Sequence, residues 1–295
     1  MDKKEGIKGV SHEELCLWCE GNNLPKFRVD QIEKWLYHSL VDSWDQMRNI
    51  PAGLRHILEQ NFILNTLQLE KQEESQDQET TKFLWKLADG KKVETVLIRA
   101  PGRRTVCVSS QVGCPARCAF CASGKKGLLR NLEAAEIVEQ VVNIERFLNK
   151  IGERVSHIVF MGMGEPFENY ANLIKAIKQL NSPYGLHISQ RRMTVSTVGI
   201  PEKIRQFAKE GLHVNLVLSL HAPSQELRKK IIPYARLYTI EELLQSMLYF
   251  AHCTKRDITY EYTLIKGIND KEEHAKELAV RIKNHPATVN LIPYN

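Results

Sequence analysis

From residue 105 onward the chain alternates strand-like runs with helical patterns, and few folds can satisfy that alternation. The runs are Thr105 to Ser110, His157 to Gly162, Arg192 to Thr197, Val214 to Leu220, Ile258 to Ile265 and Thr288 to Tyr294. Between two of them Ile240, Leu243, Leu244, Met247 and Leu248 recur at the spacing of an amphipathic helix. Strands that take turns with helices are predicted to lie parallel, since each crossover helix returns the chain to the same end of the sheet. Periodicity alone leaves an open doubly wound sheet and a partial barrel both standing. In either, ligands gather at the carboxyl ends of the strands.

Upstream the pattern changes. Residues 1–66 read as short amphipathic helices forming a small domain: Ser11-His12-Glu13-Glu14 has the form of a capping box, and Val29, Ile32 and Leu36 recur at helical spacing. Residues 67–100 read as a linker and a hairpin. The polar stretch 71–81 is expected to be a solvated connection or turn, and Lys82 to Leu87 and Val93 to Ile98 are expected to pair across Ala88-Asp89-Gly90-Lys91. The catalytic domain is placed at 101–295.

A chain of 295 residues with 43% apolar composition can bury a full core. No run approaches the roughly 20 apolar residues that span a bilayer, and the start lacks the apolar centre of a secretory signal, so a cytoplasmic, membrane-free protein is expected. The net charge of +6, with basic pairs at Arg103-Arg104, Lys125-Lys126, Arg191-Arg192 and Lys229-Lys230, favours a polyanionic partner only weakly.

The cysteines speak more clearly. Cys114, Cys118 and Cys121 stand at C-x3-C-x2-C spacing after the first run, with Gly113 and Pro115 helping the chain wrap so that three thiols converge. Thiolates are the ligands an iron–sulfur cube requires, and three of them leave one iron open to a chelating cosubstrate. A tetrahedral zinc site would want a fourth Cys or His nearby, and none follows closely. Cys16 and Cys19 form a second C-x2-C pair, but on a helix without a partner pair, where buried packing is expected.

With Phe120 just before the last cysteine, the triplet resembles the radical S-adenosylmethionine (SAM) signature. Gly162-Met163-Gly164-Glu165-Pro166 resembles that superfamily's element for holding the methionine amino group. Thr105 to Cys114, Val195-Ser196-Thr197-Val198-Gly199, Ser219-Leu220-His221-Ala222-Pro223, Leu291 to Asn295, and Phe27-Arg28 with Gln31-Ile32 and Trp35 resemble the RlmN/Cfr family of RNA-adenosine methyltransferases. The resemblance implies an α/β fold, a partial (β/α)6 barrel preceded by a helical, RNA-docking domain. It implies a [4Fe-4S] cluster on Cys114, Cys118 and Cys121, and SAM contacts from Gly164, Glu165, Ser196, Ser219, Leu220, His221 and Asn295, with two SAM molecules used per turnover.

The chemistry so implied is radical methylation of adenosine at C2, or at C8 in the Cfr branch, because that carbon does not attack a methyl sulfonium directly. The methyl passes through a cysteine, Cys107 matches the thiol that releases the product, and Glu94 matches the proton acceptor. A disulfide bond belongs to the same expectation. The implied substrates are 23S rRNA at the peptidyl-transferase centre and tRNA 3′ of the anticodon, with a reducing partner such as flavodoxin and a monomeric enzyme. Cys253 does not fit as the methyl carrier, so the chain is expected to be a shortened form with its SAM pocket nearly complete but unable to transfer methyl. The rival from another class is a zinc-bearing RNA-binding protein without catalysis.

Overall fold

A computed structural model describes residues 4–294. It divides into two compact units, one of Met1–Ser109, Leu132–Ile158 and Ala171–Ser189, the other of Ser110–Asn131, Val159–Tyr170 and Gln190–Asn295. No helix is long and apolar enough to cross a membrane.

In the first unit, helix α1 (His12–Gly21) opens at the expected capping box. Ser11 Oγ accepts from the Glu14 amide at 3.2 Å while Glu14 accepts from the Ser11 amide at 2.7 Å, satisfying donors the first turn leaves open. Helices α2 (Phe27–Glu33) and α3 (Ala52–Asn61) follow, and the chain after α2 continues as a wider turn over Lys34–His38. Leu15, Val29, Ile32, Leu36, Leu54 and Leu58 are all buried, which is what the helical spacing required. Gly9 lets this segment lie against helix α4 (Ala134–Asn149): a Cβ there would stand 2.7 Å from the Ala135 amide nitrogen.

The strands of this unit correct one expectation. Residues 71–81 are only in part the expected connection or turn: 71–74 belong to strand β1 (Leu67–Glu74), 80–81 open β2 (Thr80–Leu87), and 75–79 make the turn between them. With β3 (Lys92–Ala100) and β4 (Arg103–Cys107) they build a four-stranded antiparallel meander, in register Leu67↔Leu87, Phe83↔Thr95 and Ile98↔Thr105. In β1 only Leu67 is buried, so its backbone bonds to β2 while its side chains carry no apolar alternation to read. Charges on that edge, with Lys71 and Lys82 both pairing with Glu73, discourage further strand addition.

Strand β4 also stops at Cys107, short of the expected Ser110. The Ser109 amide bonds at 2.8 Å to Gln140 Oε1 of α4, which also accepts from Thr95 at 2.8 Å, while Gln140 Nε2 donates back to the Ser109 carbonyl at 2.9 Å. One buried amide thus takes the place of ladder partners. Helix α5 (Tyr170–Asn181) lies in this unit from Ala171 on.

The second unit begins with a short antiparallel ribbon, β5 (Gln111–Gly113) and β6 (Leu128–Asn131). The end of β7 (His157–Phe160), then β8 (Met193–Thr197), β9 (Asn215–Ser219), β10 (Ile258–Leu264) and β11 (Ala287–Pro293), lie side by side in chain order. The pairs β8–β9, β9–β10 and β10–β11 are parallel, with Ser196↔Val217, Ser219↔Glu261 and Tyr262↔Leu291 in register. Helices α6 (Pro201–Phe207), α7 (Gln225–Ile231), α8 (Ile240–Thr254) and α9 (Glu272–Ile282) supply the crossovers. This is the expected α/β architecture of a partial barrel, with the polar residues of interest at the carboxyl ends of its strands.

Candidate active site

The three cysteines occupy the loop of the β5–β6 ribbon, which follows the first barrel strand in the chain. Gly113 (φ +78°) and Gly127 (φ +68°) close the loop at its base, where the Cys114 amide donates to the Gly127 carbonyl at 3.1 Å. A Cβ on Gly113 would run into that same carbonyl. Within the loop Arg117 adopts a left-handed conformation (φ +52°) and the Cys121 amide turns back onto the Cys118 carbonyl at 3.0 Å. The Ala119 amide is held by the carbonyl of Ile231 on α7 at 2.8 Å.

Cys114 and Cys118 pack among Ala116, Phe120, Val198, Ala222, Ile231 and Ile232. Burial pushes both thiols up to about 12, and the Cys118 thiol is also raised by its neighbours Cys114 and Cys121. Among the described residues no disulfide joins the cysteines. A metal that binds Cys114 and Cys118 must displace their protons.

The number of thiols bears on the kind of metal centre. Three thiolates fill three corners of a four-iron cube and leave one iron open, whereas a tetrahedral structural zinc wants a fourth Cys or His donor. Among the described residues only His12, Asp30 and Glu33 bring three His, Cys, Asp or Glu donor atoms all within 4.8 Å of one another.

Beside the loop, at the carboxyl end of β7, Gly164 has φ +115°, and a Cβ there would lie 2.7 Å from Ser110 Oγ and 2.8 Å from the Gln111 amide. The backbone is thus open where a side chain would fill it. Ser110 Oγ is buried without a hydrogen-bond partner, a polar atom left for a ligand. Glu165, 3% exposed, accepts from the Phe167 amide at 3.0 Å, the Thr197 hydroxyl at 2.6 Å and the Val198 amide at 2.7 Å. Burial nonetheless pushes its carboxyl up to about 7, so a bound cation would restore the charge. The thiol set, the glycine cradle and the orphan hydroxyl fit a [4Fe-4S] cluster with SAM.

Matching against known proteins agrees. The radical SAM superfamily model matches residues 108–279, and that of the ribosomal RNA large subunit methyltransferase N-terminal domain matches residues 6–64. The "Probable dual-specificity RNA methyltransferase RlmN 2" of Protochlamydia amoebophila is 56% identical over 284 residues, covering 96% of this chain and 79% of that protein. The corresponding protein of Staphylococcus carnosus is 46% identical over 292 residues, covering 99% and 80%. The chain belongs to the RlmN family of radical SAM methyltransferases. A crystal structure of a radical SAM methyltransferase from Sphaerobacter thermophilus superposes with a TM-score of 0.97 at 40% identity, covering 99% of this chain and 85% of that one.

The remaining residues expected from the family fall as follows. Ser196 and Ser219 meet hydroxyl to hydroxyl at 3.1 Å, and both lie near the Glu261 carboxylate, at 3.4 and 3.5 Å. Leu220 is buried and its amide donates to the Glu261 carbonyl at 3.1 Å. His221 (φ +55°) accepts at Nδ1 from the Thr263 amide at 2.9 Å and meets Phe120 edge to face at 4.9 Å. Burial, then Arg228, pushes its imidazole down to about 3, which leaves a neutral ring with its proton on Nε2. Asn295 lies outside the described residues.

Glu94 and Cys107 belong to the first unit. Glu94 is half exposed on β3, 3.6 Å from Lys82 Nζ, and Cys107 ends β4 opposite Val96. Strand alternation puts Glu94, Val96 and Cys107 on one face of the meander.

Arg228 escaped the sequence reading. It is 1% exposed and donates to the carbonyls of Val198 at 2.5 Å, Leu220 at 3.1 Å and Ser219 at 3.2 Å, the ends of β8 and β9. Burial lowers its guanidinium to about 10, opposed by Cys118 and Glu165. Glu261 and Thr197 were missed as well.

Proposed function

We infer that this chain carries the cluster and SAM site of an enzyme that methylates adenosine in RNA at C2, on 23S rRNA at the peptidyl-transferase centre and on tRNA 3′ of the anticodon. The observation that carries the reading is the set of three thiols at C-x3-C-x2-C spacing in one loop, with the Gly164 cradle and the buried Ser110 Oγ beside it. When bound, the cluster supplies one electron to the sulfonium of SAM and so breaks a carbon–sulfur bond homolytically, and two SAM molecules are used per turnover.

The protein's part is to hold and to screen. Glu165 takes the methionine ammonium on the lone pair its three donors leave free, with the Gly164 backbone and Ser110 Oγ beside it. Ser196, Ser219, Leu220, His221 and Asn295 line the rest of the SAM site. The methyl group travels through a cysteine, for which Cys253, exposed at the end of α8, is no match. Glu94 accepts the proton lost from C2, and Cys107 attacks the carrier sulfur: a disulfide forms, the sulfur–carbon bond breaks, and its electron pair leaves with the methylene carbon on C2, which takes up a proton to become the methyl group. Their shared sheet face supports that pairing of roles. A one-electron donor such as flavodoxin feeds the cluster.

The test is anaerobic reconstitution with iron and sulfide. About four irons and four acid-labile sulfides per chain are expected; zinc without iron overturns the proposal. Mass spectrometry of digested RNA then separates C2 from C8 methylation.

A further inference from the structure

Helices α1 and α2 carry a second set of ligand-type side chains that the radical chemistry does not use. His12 and Cys16 stand four apart on α1, and Asp30 and Glu33 three apart on α2, so each pair shares one helix face. Folding brings the faces together. His12 Nδ1 is 2.9 Å from Glu33 Oε2, Cys16 Sγ is 3.5 Å from His12 Nε2, and one donor atom each of His12, Asp30 and Glu33 lies within 4.8 Å of the others.

An imidazole paired with a carboxylate is the plain reading of His12 and Glu33, but three observations go beyond it. The Glu33 side chain is 4% exposed, so its carboxylate is held out of water against the His12 ring. Tyr184 stacks on the His12 ring at 3.7 Å and 9°, fixing the direction in which Nδ1 points. A cavity of about 450 Å³, lined by Asp30, Glu33, Lys34, His38 and Tyr184, opens beside the carboxylates and gives an ion a way in.

We propose that His12, Asp30 and Glu33 form a binding site for a divalent transition metal, zinc first, which ties α1 to α2 in the N-terminal unit. One imidazole nitrogen with two carboxylate oxygens suits zinc over calcium or magnesium, which prefer all-oxygen shells. Nδ1 is the ligating nitrogen, and Nε2–H donates to Cys16 Sγ, the kind of outer contact that orients a ligating histidine. Water completes the shell from the exposed Asp30 side.

The experiment uses the full chain with its cluster reconstituted, so that iron already occupies Cys114, Cys118 and Cys121, and equilibrium dialysis against zinc chloride. One zinc per chain is expected beyond the iron, with a midpoint of thermal unfolding that rises as zinc is added. His12→Ala and Glu33→Gln should each abolish this zinc. Asp30→Asn, an exposed change that leaves the helices intact, should weaken its affinity by roughly tenfold to a hundredfold, within the range for losing one carboxylate ligand. Zinc uptake that is absent in the parent chain, or unchanged in Asp30→Asn and in whichever buried variant folds, overturns the site.

Discussion

Replacing Arg228 with Met would remove the guanidinium that joins two strand ends while keeping most of the apolar stem. The side chain is 1% exposed and donates three hydrogen bonds, at 2.5, 3.1 and 3.2 Å, to the carbonyls of Val198, Leu220 and Ser219. A buried acceptor left without its donor costs about 1–3 kcal/mol. Some of that is offset because a buried cation no longer has to be desolvated. A net loss of roughly 2–5 kcal/mol is expected, within the range for breaking a buried charged network. The assay is urea unfolding of the cluster-free protein followed by far-ultraviolet circular dichroism, since Trp18, Trp35, Trp44 and Trp85 all lie in the other unit and their fluorescence reports on it. Arg228→Lys, which keeps the charge but reaches fewer carbonyls, should fall between. A loss under about 0.5 kcal/mol for the Met variant, the size of an ordinary surface change, would refute the reasoning.

Acidification should destabilise the protein through His221. Its folded pKa, near 3, lies below the ordinary 6.5, so the unfolded chain binds the extra proton first. The stability it contributes is present above pH 6.5 and is lost as pH falls towards 3, and a His221→Asn variant should show a flatter stability profile across that window in parallel urea titrations. Cys118→Ala should reduce bound iron after reconstitution to well under the parent's content while leaving circular dichroism unchanged; full iron loading would remove Cys118 from the ligand set. Gly164→Ala, forced to φ +115° with its Cβ 2.7 Å from Ser110 Oγ, should cost about 1–3 kcal/mol and weaken SAM binding by calorimetry; a neutral result would mean the backbone is not the cradle described.

What the sequence made legible was whatever local spacing encodes. The three thiols fall within eight residues, and the barrel strands announce themselves by β-branched runs, so their bounds moved by no more than two residues except at the end of β4, which moved by three. Strand β1 could not be read, because an exposed edge strand satisfies its backbone against β2 without any apolar alternation. Arg228 could not be read for a related reason. It stands in the run Arg228-Lys229-Lys230, where the two lysines are exposed and the arginine, one position away, points into the strand ends. Only the helix phase set by Ile231 would have separated them. Thr197 and Glu261 matter through partners 32 and 65 residues away in sequence, and no spacing rule reaches that far.

Glu165 shows how one residue serves both fold and ligand. An ionised carboxylate offers about four lone-pair sites, and three are already taken by Phe167, Thr197 and Val198. The bonds from Thr197 and Val198 join the end of β7 to the end of β8, so Glu165 is a staple whether or not SAM is bound. Glu165→Gln keeps the volume but turns one acceptor oxygen into an NH2 that faces a donor. Stability should fall by about 1–3 kcal/mol, the cost of one buried hydrogen bond lost. If the fourth site also takes the methionine ammonium, SAM affinity should drop separately by roughly tenfold to a hundredfold, because a hydrogen bond between charged groups is worth about 1.5–3 kcal/mol. Calorimetric titration of SAM into the reconstituted variant, below its unfolding temperature, distinguishes the two contributions. Lowered stability with unchanged affinity would leave the staple and remove Glu165 from the SAM site.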